Sequence, residues 1–444
     1  MNCFVFRTEN RILVECRMMI EFVIIEKMAN GERNEGDLQV TSSEDYEEVI
    51  VEPSNESPNT IANDGTVDER LLDRAAMVLL RPELSLQNIH GSPIELAVRL
   101  IQQSRKIMVL VGAGMSVSCG ISDFRSANGI YARLRRLHPE LPDPTAVFDI
   151  DYFYENPKPF FSFVKELFPG NYRPSLSHRF LKCLEDEGKL LRVYTQNVDT
   201  LEKQVGLHKV VYCHGSFDTA TCMECGFKVD CEEIRDAVFN EAIPTCRNCA
   251  QIGLHGVMKP DIVFFGESLP RTFYESVAAD QSQVDLLIVI GSSLKVRPVS
   301  LIPRALQASV PLILINRETL NLFFDVELLG DSDVICEELC SRLSESFHSL
   351  CPSREPWTEI TDQAQLTSDL NTLPNSEEMG SRIKISDYLP EKSFFRFQHN
   401  MLVFPGAEIY VAKESEAPMQ EYNDQLPSVE SPVADKAEAE EHAE

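Results

Sequence analysis

The apolar residues of this chain follow two alternating patterns. In "SPIELAVRLIQQSRKIMVLVGAG" (92–114), Ile94, Ala97, Val98 and Ile101 recur at the spacing of one helix face, and Leu100 widens it. Ser92 stands at the N-cap, Pro93 at the first helical position and Glu95 at the capping-box position, so the pattern predicts a helix from 93. The following "IMVLV" (107–111) is a short continuous apolar run with β-branched members, which suits a parallel strand covered on both faces. Similar runs return in "LLRVYTQN", "KVVYCHG", "DLLIVIGSS" and "PLILINRE", with helical stretches between several of them. This alternation predicts an α/β fold, a Rossmann-like doubly wound parallel sheet.

Each apolar run ends in a polar or glycine motif. These are Gly112-Ala113-Gly114, Thr195-Gln196-Asn197, Cys213-His214-Gly215, Gly291-Ser292-Ser293 and Asn316-Arg317-Glu318. Open parallel sheets bind ligands beyond the carboxyl ends of their strands, so five such motifs on one edge point to a ligand site. Taken singly, each is weak. Gly112-x-Gly114 lacks the third glycine of the usual dinucleotide fingerprint, although with Ser116 and the helix after it the turn could present N–H groups to a pyrophosphate. His214 is either a satisfied core histidine or a general base that titrates near neutrality. Asn197 and Asp199 suit turns as well as a pocket. Asn316 and Glu318 suit a loop cap or two ribose hydroxyls, and Asp123-Phe124-Arg125 a surface ion pair.

Two insertions interrupt the alternation: an aromatic-rich, mostly helical stretch at 126–185, and 218–258. The second holds Cys222-x-x-Cys225 and Cys246-x-x-Cys249, the spacing of a tetrahedral four-thiolate zinc site. With four protein ligands no coordination position stays open, so the expected zinc is one structural ion. Such a site contributes on the order of 10–16 kcal/mol in isolated finger peptides, so the inserted small zinc-binding/helical domain should depend on its metal. Asp218, Glu224, Asp230, Glu232, Glu233, Asp236 and Glu241 surround it and disfavour a nucleic-acid reader. Cys231 stands outside the pairs.

Charge sharpens the boundaries. The chain of 444 residues carries a formal net charge of −29. Residues 1–70 are expected to form a disordered acidic N-terminal region and 413–444 a disordered acidic tail. Residues 71–91 read as a helical lead-in, 92–347 as the catalytic core, 348–393 as a flexible linker and 394–412 as a docking β-hairpin turning at Pro405-Gly406. Met28 is a candidate alternative start. No basic surface is evident, so a basic protein partner is expected rather than DNA. Thirteen cysteines without a secretory leader suggest a reducing compartment, and no apolar run is long enough for a membrane span.

The segments "GAGMSVSCGISDFRS", "TQNVDTLE", "CHGSF", "MKPDIVFFGESLP", "GSSLKVRPV" and "INRE", with the two cysteine pairs, resemble the sirtuin family of NAD-dependent protein lysine deacylases over roughly 90–345. "DPTAVFDIDYFYENPKPFFSFVKELFPG", "FDVELLGDSDVI" and "VFPGAEIYV" resemble its class I, sirtuin-1 type. The resemblance implies NAD and one zinc as cofactors. It assigns Gly112, Ala113, Gly114 and Ser116 to the NAD diphosphate, and Asp123, Phe124 and Arg125 to a loop closing over NAD. Gln196, Asn197 and Asp199 would line the nicotinamide and ribose pocket, with Asn197 and Asp199 supporting catalysis and His214 as proton acceptor. Val263, Phe264, Phe265, Gly266 and Glu267 would form the peptide-binding strand. Gly291, Ser292, Ser293, Asn316, Arg317 and Glu318 would hold the adenosine side, and Ser332 would lie by the adenine. Acetylated lysine proteins such as histone tails are the implied partners, and the nucleus the implied location.

The sequence departs from the family pattern at Ser122, where proline is usual, and lacks the basic run that precedes the core in the sirtuin-1 type. Val164 and Leu167 stand where relatives preferring acidic acyl groups place Tyr and Arg, which favours acetyl or longer apolar groups. Two other readings stay open: mono-ADP-ribosyl transfer through the same pocket, and a non-catalytic scaffold recruiting basic partners.

Overall fold

The computed structural model describes residues 91–126, 129–351, 355–362 and 382–412. The expectations for 1–70, 413–444, Met28 and nearly all of the lead-in at 71–91 lie outside these residues.

The sheet that dominates the fold contains β1 (Ile107–Val111), β2 (Leu190–Thr195), β3 (Val210–Tyr212), β7 (Leu286–Ile290), β8 (Leu312–Asn316) and β9 (Val326–Leu329), running parallel in the order β3-β2-β1-β7-β8-β9. That is the doubly wound dinucleotide-binding order, with its switch point between β1 and β7. β1 explains why the sequence reads this way. Ile107, Val109 and Val111 enter one core and Met108 and Leu110 the opposite one, all fully buried. A strand between two helical layers has no solvent face, so its apolar run is unbroken. On one face, helix α1 (Pro93–Gln103) packs Ile94, Ala97, Val98 and Ile101 into the core, and Glu95 reaches back to accept the Ser92 N–H at 3.3 Å.

The cysteine insertion builds a separate antiparallel sheet, β5-β4-β6, from β4 (Gly215–Cys222), β5 (Lys228–Asp230) and β6 (Met258–Ile262). It shares one core with the helical insertion, in which Phe148, Phe153, Phe160, Phe161 and Phe264 pack mostly edge to face. Val164 and Leu167 are buried in this core rather than on the cleft wall described below.

The C-terminal segment differs from expectation. β12 (Ser393–Gln398) and β13 (Met401–Val403) do form a hairpin, but it turns at His399-Asn400. β13 lies parallel to β9 and extends the main sheet. Asn400 explains the shift: its carbonyl accepts Glu327 N–H at 2.8 Å and its amide donates to Phe324 O at 3.0 Å. Pro405-Gly406 instead redirects the chain toward β14 (Tyr410–Ala412), which pairs with β11 (Arg382–Lys384). The expected flexible linker also contains structure, because β10 (Thr358–Ile360) pairs with β12 and β11 lies within it.

Candidate functional site

The strand ends converge on a cleft of about 1090 Å³ across the switch point. Its walls include Gly112, Ala113, Gly114, Asp123, Phe124, Arg125, Gln196, Asn197, His214, residues 263–267, Gly291, Ser292, Ser293, Asn316, Arg317 and Glu318. Segments scattered over two hundred positions thus share one cavity because β1 lies between β2 and β7.

Three glycines let the backbones meet there. Gly114 N–H donates to Gly291 O at 2.8 Å and Gly112 N–H to Ile290 O at 2.9 Å. A Cβ on Gly112 would sit 2.6 Å from Gly291 O, and one on Gly291 would sit 2.3 Å from Met115 N. The turn is therefore pinned to the end of β7.

Behind the cleft lies a polar cluster. Ser116 Oγ donates to Asp199 Oδ2 at 2.7 Å, and Asn197 Nδ2 reaches Ser116 Oγ at 3.1 Å and Gly112 O at 3.3 Å. Asp199 also accepts Leu201 N–H at 3.0 Å. Burial pushes its carboxyl up, against the bonds from Leu201 and Ser116. Ser116 and Asp199 are off the cleft wall, so they position Asn197 and the glycine turn from behind. Glu202, fully buried beneath them, is pushed up by burial first and by the charge of Asp199 second.

His214 sits where β3 leaves the sheet. Its Nδ1 lies 3.1 Å from Gln196 O, and a carbonyl can only accept, so Nδ1 carries the proton. Nε2 then holds a lone pair, and it is buried without a partner. Burial lowers the pKa of the ring, partly offset by the Gln196 bond. The neutral ring is thus a base in the right tautomer, beside Gln196, whose amide donates to Ser292 Oγ at 2.9 Å.

β6 ends at Ile262, and the segment 263–267 continues it with one parallel bridge, between Phe265 and Asp149. Its N–H groups are taken: Val263 donates to His214 O at 2.8 Å, Phe265 to Phe148 O at 2.7 Å and Phe264 to Glu267 Oε2 at 2.7 Å. Lys259 bonds Glu267 at 2.8 Å and lies 4.2 Å from the Phe264 ring centroid, which fixes the loop. Phe265, 43% exposed, projects into solvent. Phe124 packs against Phe148 and Tyr131 at 5.7 Å between centroids, closing an aromatic wall. The Asp123 carboxylate accepts Arg125 N–H and Ser126 N–H at 2.8 and 2.7 Å.

Ser332 is off the cleft: it is buried at the start of helix α2 (Ser332–Arg342). The cleft also contains Ser122, the departure noted in the loop, and residues to which the sequence reading gave no individual role, namely Tyr131, Lys295, Val296, Arg297, Glu408 and Tyr410. Lys295 to Arg297 fall inside a quoted motif. Glu408 and Tyr410 arrive from the distant C-terminal segment, inside the quoted "VFPGAEIYV", which gave neither of them an individual role.

The sulfurs of Cys222, Cys225, Cys246 and Cys249 lie within 4.8 Å of one another. The pairs Cys222–Cys249 and Cys225–Cys246 are 3.6 and 3.7 Å apart. Zinc–sulfur bonds of about 2.3 Å in a tetrahedron separate sulfurs by about 3.8 Å, so the cluster fits one structural zinc. Gly256 is required beside it, since a Cβ there would lie 2.5 Å from Cys222 Sγ. Cys231, buried nearby, does not join the cluster.

Residues 112–298 match the Sir2 family. The chain is 51% identical over 311 residues to the NAD-dependent protein deacetylase sirtuin-1 of Homo sapiens, covering 70% of this chain and 42% of that protein. It is 49% identical over 317 residues to the NAD-dependent histone deacetylase sirtuin-1 of Drosophila melanogaster, covering 66% and 38% respectively. For the NAD-dependent protein deacetylase sir-2.1 of Caenorhabditis elegans the identity is 52% over 287 residues, covering 64% and 46%. The chain matches about half, or less, of the length of these relatives.

Proposed function

We propose that this chain, which carries a Sir2 family domain, is an NAD-dependent protein lysine deacetylase that moves an acetyl group from lysine to ADP-ribose and releases nicotinamide. The observation that carries this reading is His214, proton on Nδ1 and lone pair on a buried Nε2, at a dinucleotide cleft. When bound, NAD supplies a glycosidic bond whose cleavage frees nicotinamide and leaves a ribose carbon that an acyl oxygen can attack. The residues of this chain do the rest. His214 Nε2 takes a proton from a ribose hydroxyl, so that the hydroxyl oxygen becomes a nucleophile. Asn197, held by Ser116, and Gln196, held on Ser292, orient the ribose side. The glycine turn, pinned on Gly291, takes the diphosphate side, where the absence of side chains lets the ligand approach the backbone. Phe124, Phe148 and Phe264 exclude water, which favours transfer to the acyl group over plain hydrolysis. Val263 to Glu267, fixed by Lys259, flank the acyl-lysine.

We infer acetylated histones as substrates and a nuclear site of action, on the strength of the histone deacetylase name of the Drosophila relative. Among the described residues no helix is long and apolar enough to cross a membrane.

The test is mass spectrometry of an acetyl-lysine histone-tail peptide incubated with zinc-loaded protein, with and without NAD. NAD-dependent loss of acetyl is expected, with O-acetyl-ADP-ribose as product and both lost in His214→Ala. ADP-ribose appearing on protein while the peptide stays acetylated would overturn it. Because burial lowers the His214 pKa, the acid limb of kcat/KM should fall below the ordinary imidazole value of about 6.5; a limb above it would remove His214 as the base.

A further inference from the structure

The usual device that selects an unphosphorylated ribose in this sheet order is an acidic residue at the end of the second strand. Here that position is lost to another task. The acid that follows β2 is Asp199, turned inward onto Ser116 and Leu201 N–H and away from the cleft. Carboxylates reach the cleft instead at the end of β8, beside Asn316 and Arg317. One is Glu318; the other is Glu408, from the C-terminal segment.

Glu408 is built into place. Its N–H donates to Arg317 O at 2.7 Å, which ties the segment to the end of β8. Its Oε1 lies 2.7 Å from Lys384 Nζ, and its Oε2 accepts Tyr410 O–H at 2.6 Å. Burial opposes its ionisation, but the bonds from Lys384 and Tyr410 outweigh burial and hold the carboxyl below the usual range. Both nearby cations are already matched. Arg317 is paired with Asp331 at 2.7 Å, and Lys384 with Glu408 itself. This end of the cleft therefore presents the acceptor oxygens of Glu318 and Glu408, and its cations Arg317 and Lys384 each already hold a carboxylate, while Lys295 and Arg297 line the cleft from the loop after β7. From β8 to β3 the cleft spans four strand steps of ~4.8 Å, roughly 19 Å. With His214 and Asn197 at the β2–β3 end, the β8 end receives the adenosine.

We propose that Glu408 discriminates between NAD and its 2′-phosphorylated form, NADP, by accepting hydrogen bonds from the adenosine ribose and repelling a phosphate there. The proposal rests on the reading of the cleft as an NAD site. It assigns to the C-terminal segment a specificity role beside that of Glu318 at the end of β8.

The test compares NAD and NADP binding by titration calorimetry for the full zinc-loaded chain, Glu408→Gln and Lys384→Gln. Even with water-like screening, one unit charge at 4 Å changes affinity about fivefold, so a phosphate dianion should respond by about tenfold or more. Glu408→Gln should lower the ratio of NADP to NAD dissociation constants by about tenfold, because it removes the carboxylate charge and frees Lys384. Lys384→Gln should raise the ratio, because it leaves Glu408 uncompensated. Opposite shifts cannot arise from a general loss of folding, and Lys384→Gln carries the test alone if Glu408→Gln does not fold. A parent chain that binds NAD but shows a ratio unmoved by either variant overturns the proposal. A parent chain that binds neither nucleotide overturns the NAD reading itself.

Discussion

Replacing Gly291 by alanine separates two effects that a glycine motif usually confounds. Gly291 has φ +61°, and its comparison, Gly188, has φ +69°. Alanine in the left-handed region is strained by roughly 1–2 kcal/mol at either site. The surroundings differ. A Cβ at Gly188 meets no heavy atom within 4 Å, whereas at Gly291 it meets Met115 N at 2.3 Å and Gly114 C at 2.6 Å. Those are backbone atoms of the turn after β1, so they cannot rotate away. Overpacking adds typically about 1–3 kcal/mol. Gly291→Ala should therefore destabilise the core by about 2–5 kcal/mol, and Gly188→Ala by only about 1–2. Equilibrium unfolding in urea reads both on one scale, with the midpoint shift multiplied by a common slope. The nucleotide titration should also weaken for Gly291→Ala alone, because relief of the clash moves the turn. If the two variants agree within about 0.5 kcal/mol, the usual scatter of benign substitutions, the close approach of Gly114 and Gly291 does not constrain this fold.

Two further outcomes follow. Zinc content by atomic spectroscopy should stay near one ion per chain in Cys231→Ala and fall toward zero in Cys225→Ala, with loss of the aromatic near-ultraviolet signal of the small domain; zinc retained in Cys225→Ala would refute the four-thiolate site. His178 is buried and burial lowers its pKa to about 4, with a smaller opposing contribution from Asp333. The unfolded chain then binds the extra proton first, so stability is full above about 6.5 and falls as pH drops toward 4, by about 3 kcal/mol at the lower end. His178→Gln should flatten that slope in urea midpoints measured across pH 4–7, and an unchanged slope would exclude His178 as its source.

The parallel sheet was legible because its strands are buried on both faces, which leaves a mark in each run alone. Ile107 to Val111 needed no partner to be read as a central strand. The strand-end motifs were legible for a related reason, since their position after each run already assigns them to one edge. What escaped depends on contacts between distant segments. Pro405-Gly406 is the stronger local turn signal, yet Asn400 wins because its amide and carbonyl meet Phe324 and Glu327. At 263–267 regular pairing stops with β6, and what continues it is a single bridge between Phe265 and Asp149, a contact between distant segments. Asp199 looks like a pocket residue until Ser116 turns it inward. Glu408 lies inside the quoted "VFPGAEIYV", but its place in the cleft could not be read there because it depends on Lys384, Tyr410 and the end of β8.

The pairing of β13 with β9 also fixes an order of events during synthesis. β1 needs β7, made about 175 residues later, before its second edge is filled. β9 then waits for β13, roughly 70 residues further on. At ~5–20 residues per second this leaves β9, buried along its whole length in the finished fold, with an open edge for on the order of 4–15 s. Over that interval the nascent chain offers a pairing template to any extended segment nearby. The last strand of the sheet therefore acts as the chain's own protection against intermolecular pairing, and chaperone dependence should be greatest for chains that stop short of residue 401.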